Sequence, residues 1–364
     1  MRIGVIGGGQ LAQMMALAGY PLGLKVICLS PTAVCSAGLV TDIIVGDYDD
    51  IQQLKQLADQ TDVLTYEFEN ISYETLTQLD HADRCTKKKL YPTTAALKIS
   101  QDRLKEKQFF ETLQIPTTHY LPINSLSDLQ EAITKIGLPA ILKTRRFGYD
   151  GKGQQILTSS EDLNIAWMAA NNQACLLENK VSFDREISCI GVRNIQGEIR
   201  FYALVENQHK AGILYLSRVS SHQDSMTALA QTYVTRILTQ LDYVGVLTVE
   251  FFEQAGQLIA NEMAPRVHNS GHWTIEGAQT SQFENHLRAI SGLPLGATET
   301  RGQVAMLNLV GKIPPLEKIL SIPNVHMHLY GKSPRTRRKL GHVTICAASQ
   351  EILNQQLKNI QLYL

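Results

Sequence analysis

The stretch Val246-Leu247-Thr248-Val249-Glu250-Phe251-Phe252, followed by Leu258-Ile259-Ala260-Asn261-Glu262, decides how this chain is read. Both runs are apolar and β-prone, and the segment from Glu253 to Gln257 contains Gly256, so together they predict a hairpin. A turn centred near Gly256 sets Glu250 opposite Glu262. Cross-strand neighbours stand about 5 Å apart, and like charges there repel. Two carboxylates facing each other in an apolar hairpin leave two readings. Either a divalent cation lies between them or one side chain turns to solvent. Mg²⁺ suits the first reading, because it takes carboxylate oxygens and leaves its other sites to water and phosphate. The run continues as Met263-Ala264-Pro265-Arg266-Val267-His268-Asn269-Ser270-Gly271-His272-Trp273-Thr274, gathering a cation, an amide and two histidines into one short segment.

A chain of 364 residues predicts two or three domains, and its hydrophobic content of 44% is enough for real cores. Lys+Arg 34 against Asp+Glu 34 cancel, which argues against a nucleic-acid binder. None of the six cysteines forms a C-x-x-C pair, so a structural zinc site or redox dithiol is not expected. Scattered single cysteines fit a reducing compartment. Met1 to Ile6 lack the apolar length of a signal peptide. No apolar run approaches the ~20 residues of a membrane span. The expectation is a soluble, cytoplasmic protein.

Strands are predicted at 2–6, 25–29, 43–45 and 63–66, with helices after the first and at 50–58, giving a doubly wound parallel sheet. Gly7-x-Gly9-x-x-Ala12 matches a dinucleotide fingerprint, but the second strand ends Leu29-Ser30-Pro31 without the acid that would hold a ribose. NAD is therefore disfavoured. The loop then reads either as a tight turn closing the fold or as a helix N-terminus for another anion, such as a substrate phosphate. Glu67-Phe68-Glu69-Asn70 follows the fourth strand, where such sheets line ligand crevices, so Glu69 and Asn70 are candidate contacts or a solvated loop.

A single amphipathic helix is predicted from Ile99 to Leu113, then a strand ending at Lys143. Arg145 to Gln154 interleaves three glycines with basic residues, as in a flap covering a polyphosphate. It lacks the ending of a Walker loop. Strands are expected at 174–178, 185–192, 200–205 and 213–218, with helices at 226–241 and 281–290. A smaller segment begins after Leu293-Pro294. The basic loop Gly331 to Lys339 reads as a solvated face or as a phosphate clamp.

In this order, the motifs resemble the ATP-grasp superfamily, and within it the N5-carboxyaminoimidazole ribonucleotide synthetases. The residues carrying the likeness are Gly9-Gln10-Leu11, Tyr66-Glu67-Phe68-Glu69-Asn70, Gly148-Tyr149-Asp150-Gly151-Lys152-Gly153-Gln154, Asn261 through Thr274, and Arg338-Lys339-Leu340-Gly341-His342. One departure is Arg337, where the family often has glycine. The resemblance implies an α/β chain of the ATP-grasp fold. Residues 1–98 would form a Rossmann-like pre-ATP-grasp domain with a doubly wound parallel sheet. Residues 99–181 would form the central, flap-bearing subdomain, and 182–364 the C-terminal subdomain, with a small C-terminal segment from about 295.

By the same resemblance, Arg103 and Lys143 would contact ATP phosphates beneath the flap formed by Gly148, Tyr149, Asp150, Gly151, Lys152, Gly153 and Gln154. Glu178, Asn179, Lys180 and Val181 would hold the adenine through backbone edges. Glu186 would hold the ribose, and His209 would border the nucleotide. Glu250 and Glu262, with Asn261 nearby, would place Mg²⁺. Aminoimidazole ribonucleotide would meet Gln10, Leu11, Glu69, Tyr149, Asp150, Lys332 and Arg338. Arg266, Asn269 and His272 would line the reacting centre. The implied reaction is ATP- and bicarbonate-dependent carboxylation of the ribonucleotide through carboxyphosphate, in purine biosynthesis, by a homodimer. Three competing readings are a formate-dependent glycinamide ribonucleotide transformylase, a nicotinamide dehydrogenase and a non-catalytic nucleotide-binding regulator.

Overall fold

A computed structural model describes residues 1–82, 89–148, 151–220 and 224–364. Its first sheet contains β1 (Arg2–Ile6), β2 (Lys25–Ser30), β3 (Asp42–Val45), β4 (Val63–Tyr66) and β5 (Lys89–Leu90). They lie in the order β3-β2-β1-β4-β5, every pair parallel. Alternate residues serve opposite faces. Ile3, Val5, Val26 and Cys28 pack with Met14 and Met15 of α1 (Gln10–Gly19). Ile6, Ile27 and Leu29 pack with Leu54 and Leu57 of α2 (Ile51–Asp59) and Leu76 of α3 (Tyr73–Ala82). Both faces are covered, so these strands read as unbroken apolar runs rather than alternating ones. The doubly wound parallel sheet is present as expected.

The helix expected from Ile99 to Leu113 is two helices, α4 (Thr94–Ser100) and α5 (Arg103–Thr112). Apolar periodicity runs through the junction, but Asp102 is extended there and its carboxylate accepts the Leu104 N–H at 3.0 Å. That bond satisfies a donor the first turn of α5 would otherwise leave unpaired, so the chain restarts instead of continuing.

The second sheet contains β6 (Tyr120–Ile123), β7 (Ala140–Thr144), β8 (Gln154–Leu157) and β9 (Cys175–Asn179), antiparallel in the order β6-β9-β7-β8. It is backed by α6 (Leu126–Ile136) and α7 (Asp162–Ala169) through Leu129, Ala132, Leu163 and Trp167.

The third sheet is the largest, with β10 (Arg185–Arg193), β11 (Ile199–Phe201), β12 (Val205–Lys210), β13 (Ile213–Val219), β14 (Gly245–Gln254), β15 (Gln257–Ala264), β16 (Gln303–Val310), β17 (Val325–Leu329) and β18 (Lys339–Ala347). The order is β15-β14-β10-β12-β13-β16-β18-β17, with β11 pairing to β10. Helices α8 (Thr227–Gln240), α9 (Thr274–Gly277), α10 (Gln282–Ile290), α11 (Leu316–Leu320) and α12 (Gln350–Gln361) complete the chain. Because β16 pairs with β13, the C-terminal strands extend this sheet. The strand expected at 200–205 is interrupted: β11 ends at Phe201 and β12 begins at Val205, and between them Tyr202 keeps its N–H on the Ile190 carbonyl while its ring lies edge-on against Trp273 and its hydroxyl donates to the Thr280 carbonyl. The hairpin β14–β15 forms as expected, with Gly256 in its turn and Glu250 directly opposite Glu262. Among the described residues no helix is long and apolar enough to cross a membrane.

Candidate active site

Strand β15 is the free edge of the large sheet, and α5 covers it. Residues three and four apart on a helix share a face. Arg103, Glu106 and Lys107 therefore point together, and all three reach β15. Arg103 Nη1 donates to Glu262 Oε2 at 2.9 Å. Glu106 Oε1 accepts the Met263 N–H at 2.7 Å. Lys107 Nζ donates to the carbonyls of Ala260 (3.2 Å) and Asn261 (3.0 Å). The β14–β15 register jumps here: Glu250 faces Glu262, but Phe251 faces Ala260, leaving Asn261 as the extra residue of a β-bulge. In a regular strand Asn261 and Glu262 would point to opposite faces. The bulge re-aims one of them. Asn261 Oδ1 thus lies 3.4 Å from Lys143 Nζ while Glu262 meets Arg103.

Lys143 belongs to β7 and Glu178 to β9, so the second sheet supplies the facing wall. Lys143 Nζ is 3.0 Å from Glu178 Oε1, and Lys107 Nζ is 3.5 Å from Glu178 Oε2. Thr118 Oγ1 donates to the same carboxylate at 2.7 Å. Burial alone would raise the Glu178 carboxyl, but the two lysines outweigh it and hold it at about 2. Glu178 lies inside the sheet between Tyr120 and Ile141. Its side chain is therefore the counter-ion of Lys143. Asn179 ends that strand, and Lys180 and Val181 follow it. Their N–H groups are in part already used: Asn179 donates to His119 and Lys180 to Pro139.

On β10 and β12, Glu186 and His209 are bonded to each other through Oε2 and Nδ1. Burial works against charge on His209, yet Glu186 and Glu250 raise its pKa above the ordinary range. Glu250 is pushed up by burial and by the Glu262 carboxylate. Glu262 is held down by Arg103 despite burial. His268 Nε2 lies 3.7 Å from Glu250 Oε1, and the ring is kept neutral by burial and by Arg266. Sequence reasoning did not single out His268, Glu106 or Lys107 as site residues. The i, i+3, i+4 spacing of Arg103, Glu106 and Lys107 was the available signal.

The glycine loop is settled by a residue the sequence reading passed over. Glu67 accepts the Gly9 N–H and, at 2.9 Å, the Ala12 N–H. A carboxylate of the chain itself thus occupies the N-terminus of α1, where the sequence left open a tight closing turn or a site for an anion such as a substrate phosphate. The glycines make room for it: a Cβ on Gly7 would stand 2.2 Å from Glu67 Cγ, and Gly7 has φ +128. Leu11 follows at the start of α1. Its side chain is in the core beneath α1. Gln10 is partly exposed and its Oε1 accepts from Lys332 Nζ at 2.5 Å, joining the glycine loop to the C-terminal basic loop. Glu69 Oε1 pairs with Arg266 Nη2 at 2.8 Å. Gln101, just before α5, donates to the carbonyls of Glu69 and Ile71 and so fixes this loop.

Asn269 forms a reciprocal amide pair with Asn308 on β16, at 3.0 and 2.8 Å. His272 is 0% exposed and packed against Phe283, Tyr330 and His342. Arg338 is exposed and donates to the Ser333 carbonyl at 3.3 Å. Arg337 has φ +65, a left-handed conformation that explains why glycine suits this position. Its guanidinium donates to the Ala211 carbonyl at 3.1 Å. In the flap, Gly148 lies beside the Arg103 guanidinium and Gly151 rests on Gly212. Lys152 and Gly153 precede Gln154, the first residue of β8. Tyr149 and Asp150 lie outside the described residues.

Three family models match the chain: a ribonucleotide synthetase preATP-grasp domain over residues 1–101, an ATP-grasp domain over 108–283 and a phosphoribosylaminoimidazole carboxylase C-terminal domain over 304–356. The chain is 48% identical over 361 residues to the N5-carboxyaminoimidazole ribonucleotide synthase of Pseudomonas aeruginosa, covering 99% of both. The solved N5-carboxyaminoimidazole ribonucleotide synthetase of Thermus thermophilus superposes with a TM-score of 0.93 at 45% identity, over 100% of this chain and 98% of that one. The Aspergillus clavatus enzyme, solved with ADP and 5-aminoimidazole ribonucleotide, gives 0.90 at 28% identity over 99% and 98%. Likeness of this extent, carried through both sheets of the cleft and the glycine loop, means that the chain belongs to the N5-carboxyaminoimidazole ribonucleotide synthase family of ATP-grasp ligases.

Proposed function

We propose that this protein carboxylates 5-aminoimidazole ribonucleotide to N5-carboxyaminoimidazole ribonucleotide with ATP and bicarbonate, through carboxyphosphate, as a cytoplasmic enzyme of de novo purine biosynthesis. The observation that carries this reading is the convergence of Arg103, Lys143, Glu250 and Glu262 on one cleft between two sheets. Arg103 and Lys143 bind and orient the nucleotide phosphates, and the glycine-rich flap closes over them. Glu186 and His209, side by side, border the ribose. Placement and fixed charge then do most of the work, as expected for phosphoryl transfer.

The acid pair fits a divalent cation. Glu250 and Glu262 face each other with Asn261 beside them; burial first and the Glu262 charge second raise the Glu250 carboxyl, and a cation relieves that repulsion. Among the described residues no three His, Cys, Asp or Glu side chains converge into a closed cage. That donor set suits Mg²⁺, which takes its remaining ligands from water and phosphate. When bound, Mg²⁺ would neutralise polyphosphate charge at the γ-phosphoryl group.

In the reaction, a bicarbonate oxygen attacks the γ-phosphorus and ADP leaves. Carboxyphosphate breaks down to CO₂ and phosphate, and the exocyclic amine attacks CO₂ with loss of a proton. Closure of the flap keeps water from the labile intermediate. Gln10, Glu69, Lys332 and Arg338 hold the ribonucleotide, and Arg266, tied to Glu69, sits where the two substrates meet. Residues 1–98, 99–181 and 182–364 act as the three working units. The exposed apolar side chains Leu17, Tyr20, Val34, Leu39 and Val45 of the first domain support a homodimer.

The test is ADP release with each substrate omitted in turn. Turnover that requires both 5-aminoimidazole ribonucleotide and bicarbonate is expected. Turnover with glycinamide ribonucleotide and formate instead would overturn the assignment in favour of the transformylase.

A further inference from the structure

We propose that Lys107 is a positioning residue that pins the β-bulge at Asn261 and, through Glu178, the side chain of Lys143, so that the nucleotide and metal ligands of the two sheets are held in one register. The proposal rests on the ATP and Mg²⁺ reading given above.

Lys107 is 1% exposed, an unusual place for an ammonium unless every proton is used. It has three N–H donors. Two go to the carbonyls of Ala260 and Asn261, and the third direction is taken by Glu178. No donor remains for a phosphate, so Lys107 acts through its neighbours. Glu178 in turn holds Lys143, and Lys143 returns to the Asn261 amide. The four residues close a polar ring joining α5, β7, β9 and β15.

The bulge explains why such a ring is needed. An edge strand with an extra residue has backbone groups that no neighbouring strand satisfies; here Pro116 O takes the Ala260 N–H and Glu106 the Met263 N–H, while the carbonyls of Ala260 and Asn261 fall to Lys107. Thr117 Oγ1 also donates to Ala260 O, but Lys107 alone spans both carbonyls, at Ala260 and Asn261. Migration by one residue would exchange which side chains face the cleft and turn Glu262 away from Glu250. The ammonium marks the position where the extra residue must stay. The ribonucleotide contacts at Gln10 and Lys332 lie outside this ring.

The test compares wild type with Lys107→Met, which keeps the apolar stem and removes the charge. Calorimetric titration with Mg²⁺ and a non-hydrolysable ATP analogue should show affinity reduced by about ten- to a hundred-fold. The apparent Mg²⁺ constant should rise in parallel, while the dissociation constant for 5-aminoimidazole ribonucleotide stays within about twofold of wild type. Lys107→Gln, which restores an N–H donor without the charge, should fall between the two, and it serves as the working variant where Lys107→Met fails to fold. Unchanged nucleotide and Mg²⁺ constants in the folded variant overturn the proposal, and so does an equal loss of both substrates, which marks a general structural role. Absence of nucleotide binding in wild type overturns the ATP reading itself, a separate failure.

Discussion

Replacing Glu178 by glutamine removes one charge from between two buried ammonium groups, and the cost can be worked from the geometry. Lys143 lies 3.0 Å and Lys107 3.5 Å from its carboxylate oxygens, all three side chains are buried, and Thr118 supplies a hydrogen bond at 2.7 Å. Holding the carboxyl at about 2 instead of its ordinary 4.5 corresponds to about 3 kcal/mol. Because this carboxyl is depressed, the contribution is fully present above pH 4.5 and is lost as pH falls through about 2. An independent expectation for breaking a buried ion pair is about 3–5 kcal/mol, since the partners are left uncompensated. Glu178→Gln should therefore lose about 3–5 kcal/mol at pH 7, a large part of a domain's usual ~5–15 kcal/mol. Urea unfolding followed by tryptophan fluorescence measures it, because Trp167 on α7 packs in the core of the same layer. Adding Lys107→Met to Glu178→Gln should recover part of the loss by removing one of the stranded charges. A loss below about 1 kcal/mol in the single variant would refute the claim that this triad is electrostatically tight.

Three further outcomes follow from the same structure. Glu250→Gln and Glu262→Gln should each abolish turnover with the chain still folded, Glu262→Gln at a lower melting temperature because it strands Arg103; near-normal activity of either at saturating Mg²⁺ would remove the pair from the metal site. Arg338→Ala should raise the apparent constant for 5-aminoimidazole ribonucleotide by about ten- to a hundred-fold, the worth of one charge-assisted phosphate contact, with the ATP constant unchanged. Equal shifts for both substrates would return the basic loop to a solvated face. His286 accepts the Val246 N–H on Nδ1 at 3.1 Å, meets Thr65 through Nε2 at 2.9 Å, and is held down to about 4 by burial. The folded chain therefore takes up this proton less readily than the unfolded one. The resulting stability, about 3 kcal/mol at most, is present above pH 6.5 and is lost as pH falls toward 4. Melting temperatures from pH 7 to 4.5 should fall more steeply for wild type than for His286→Gln, and equal slopes would contradict the assignment.

The hairpin that organises the chain was legible because its two signals are local. Apolar runs flank a glycine turn, and the turn fixes the register that sets Glu250 against Glu262. The parallel sheet was legible for a similar reason, since strands buried on both faces stand out as apolar blocks. The failures fall where long-range contacts override a local pattern. Arg200 to Val205 is apolar enough for one strand, but the ladder breaks between Phe201 and Val205, where the Tyr202 ring packs on the distant Trp273. Ile99 to Leu113 has helical periodicity throughout, but Asp102 pairs with Arg145 and caps a new helix. The strand at Tyr120–Ile123 contains Pro122, which weakens the signal; the edge position of β6 tolerates it.

The site divides along the same line. Residues whose role is to present a charge to the cleft, such as Arg103, Lys143 and the two opposed glutamates, sit in recognisable motifs. Residues that hold those charges in place do not, because their partners are remote in sequence. Glu67 is the clearest case: a glycine loop before a helix announces an anion site, but nothing local says that the anion comes from the end of β4, 55 and 58 positions away. Arg103, Glu106 and Lys107 are similar. At i, i+3 and i+4 on a charged helix they resemble a solvated face. They become something else only because β15 is a sheet edge whose backbone groups need partners and whose bulge must be fixed. Within the site the ions are matched locally. Arg103 is matched by Glu262, Lys143 and Lys107 by Glu178, and Arg266 by Glu69. Buried pairs of this kind add little net stability over apolar packing, but removing one member is costly. They are therefore better suited to fixing the geometry of a polyanion site than to stabilising the fold, and the geometry they fix is the register of Asn261 and Glu262 against Lys143.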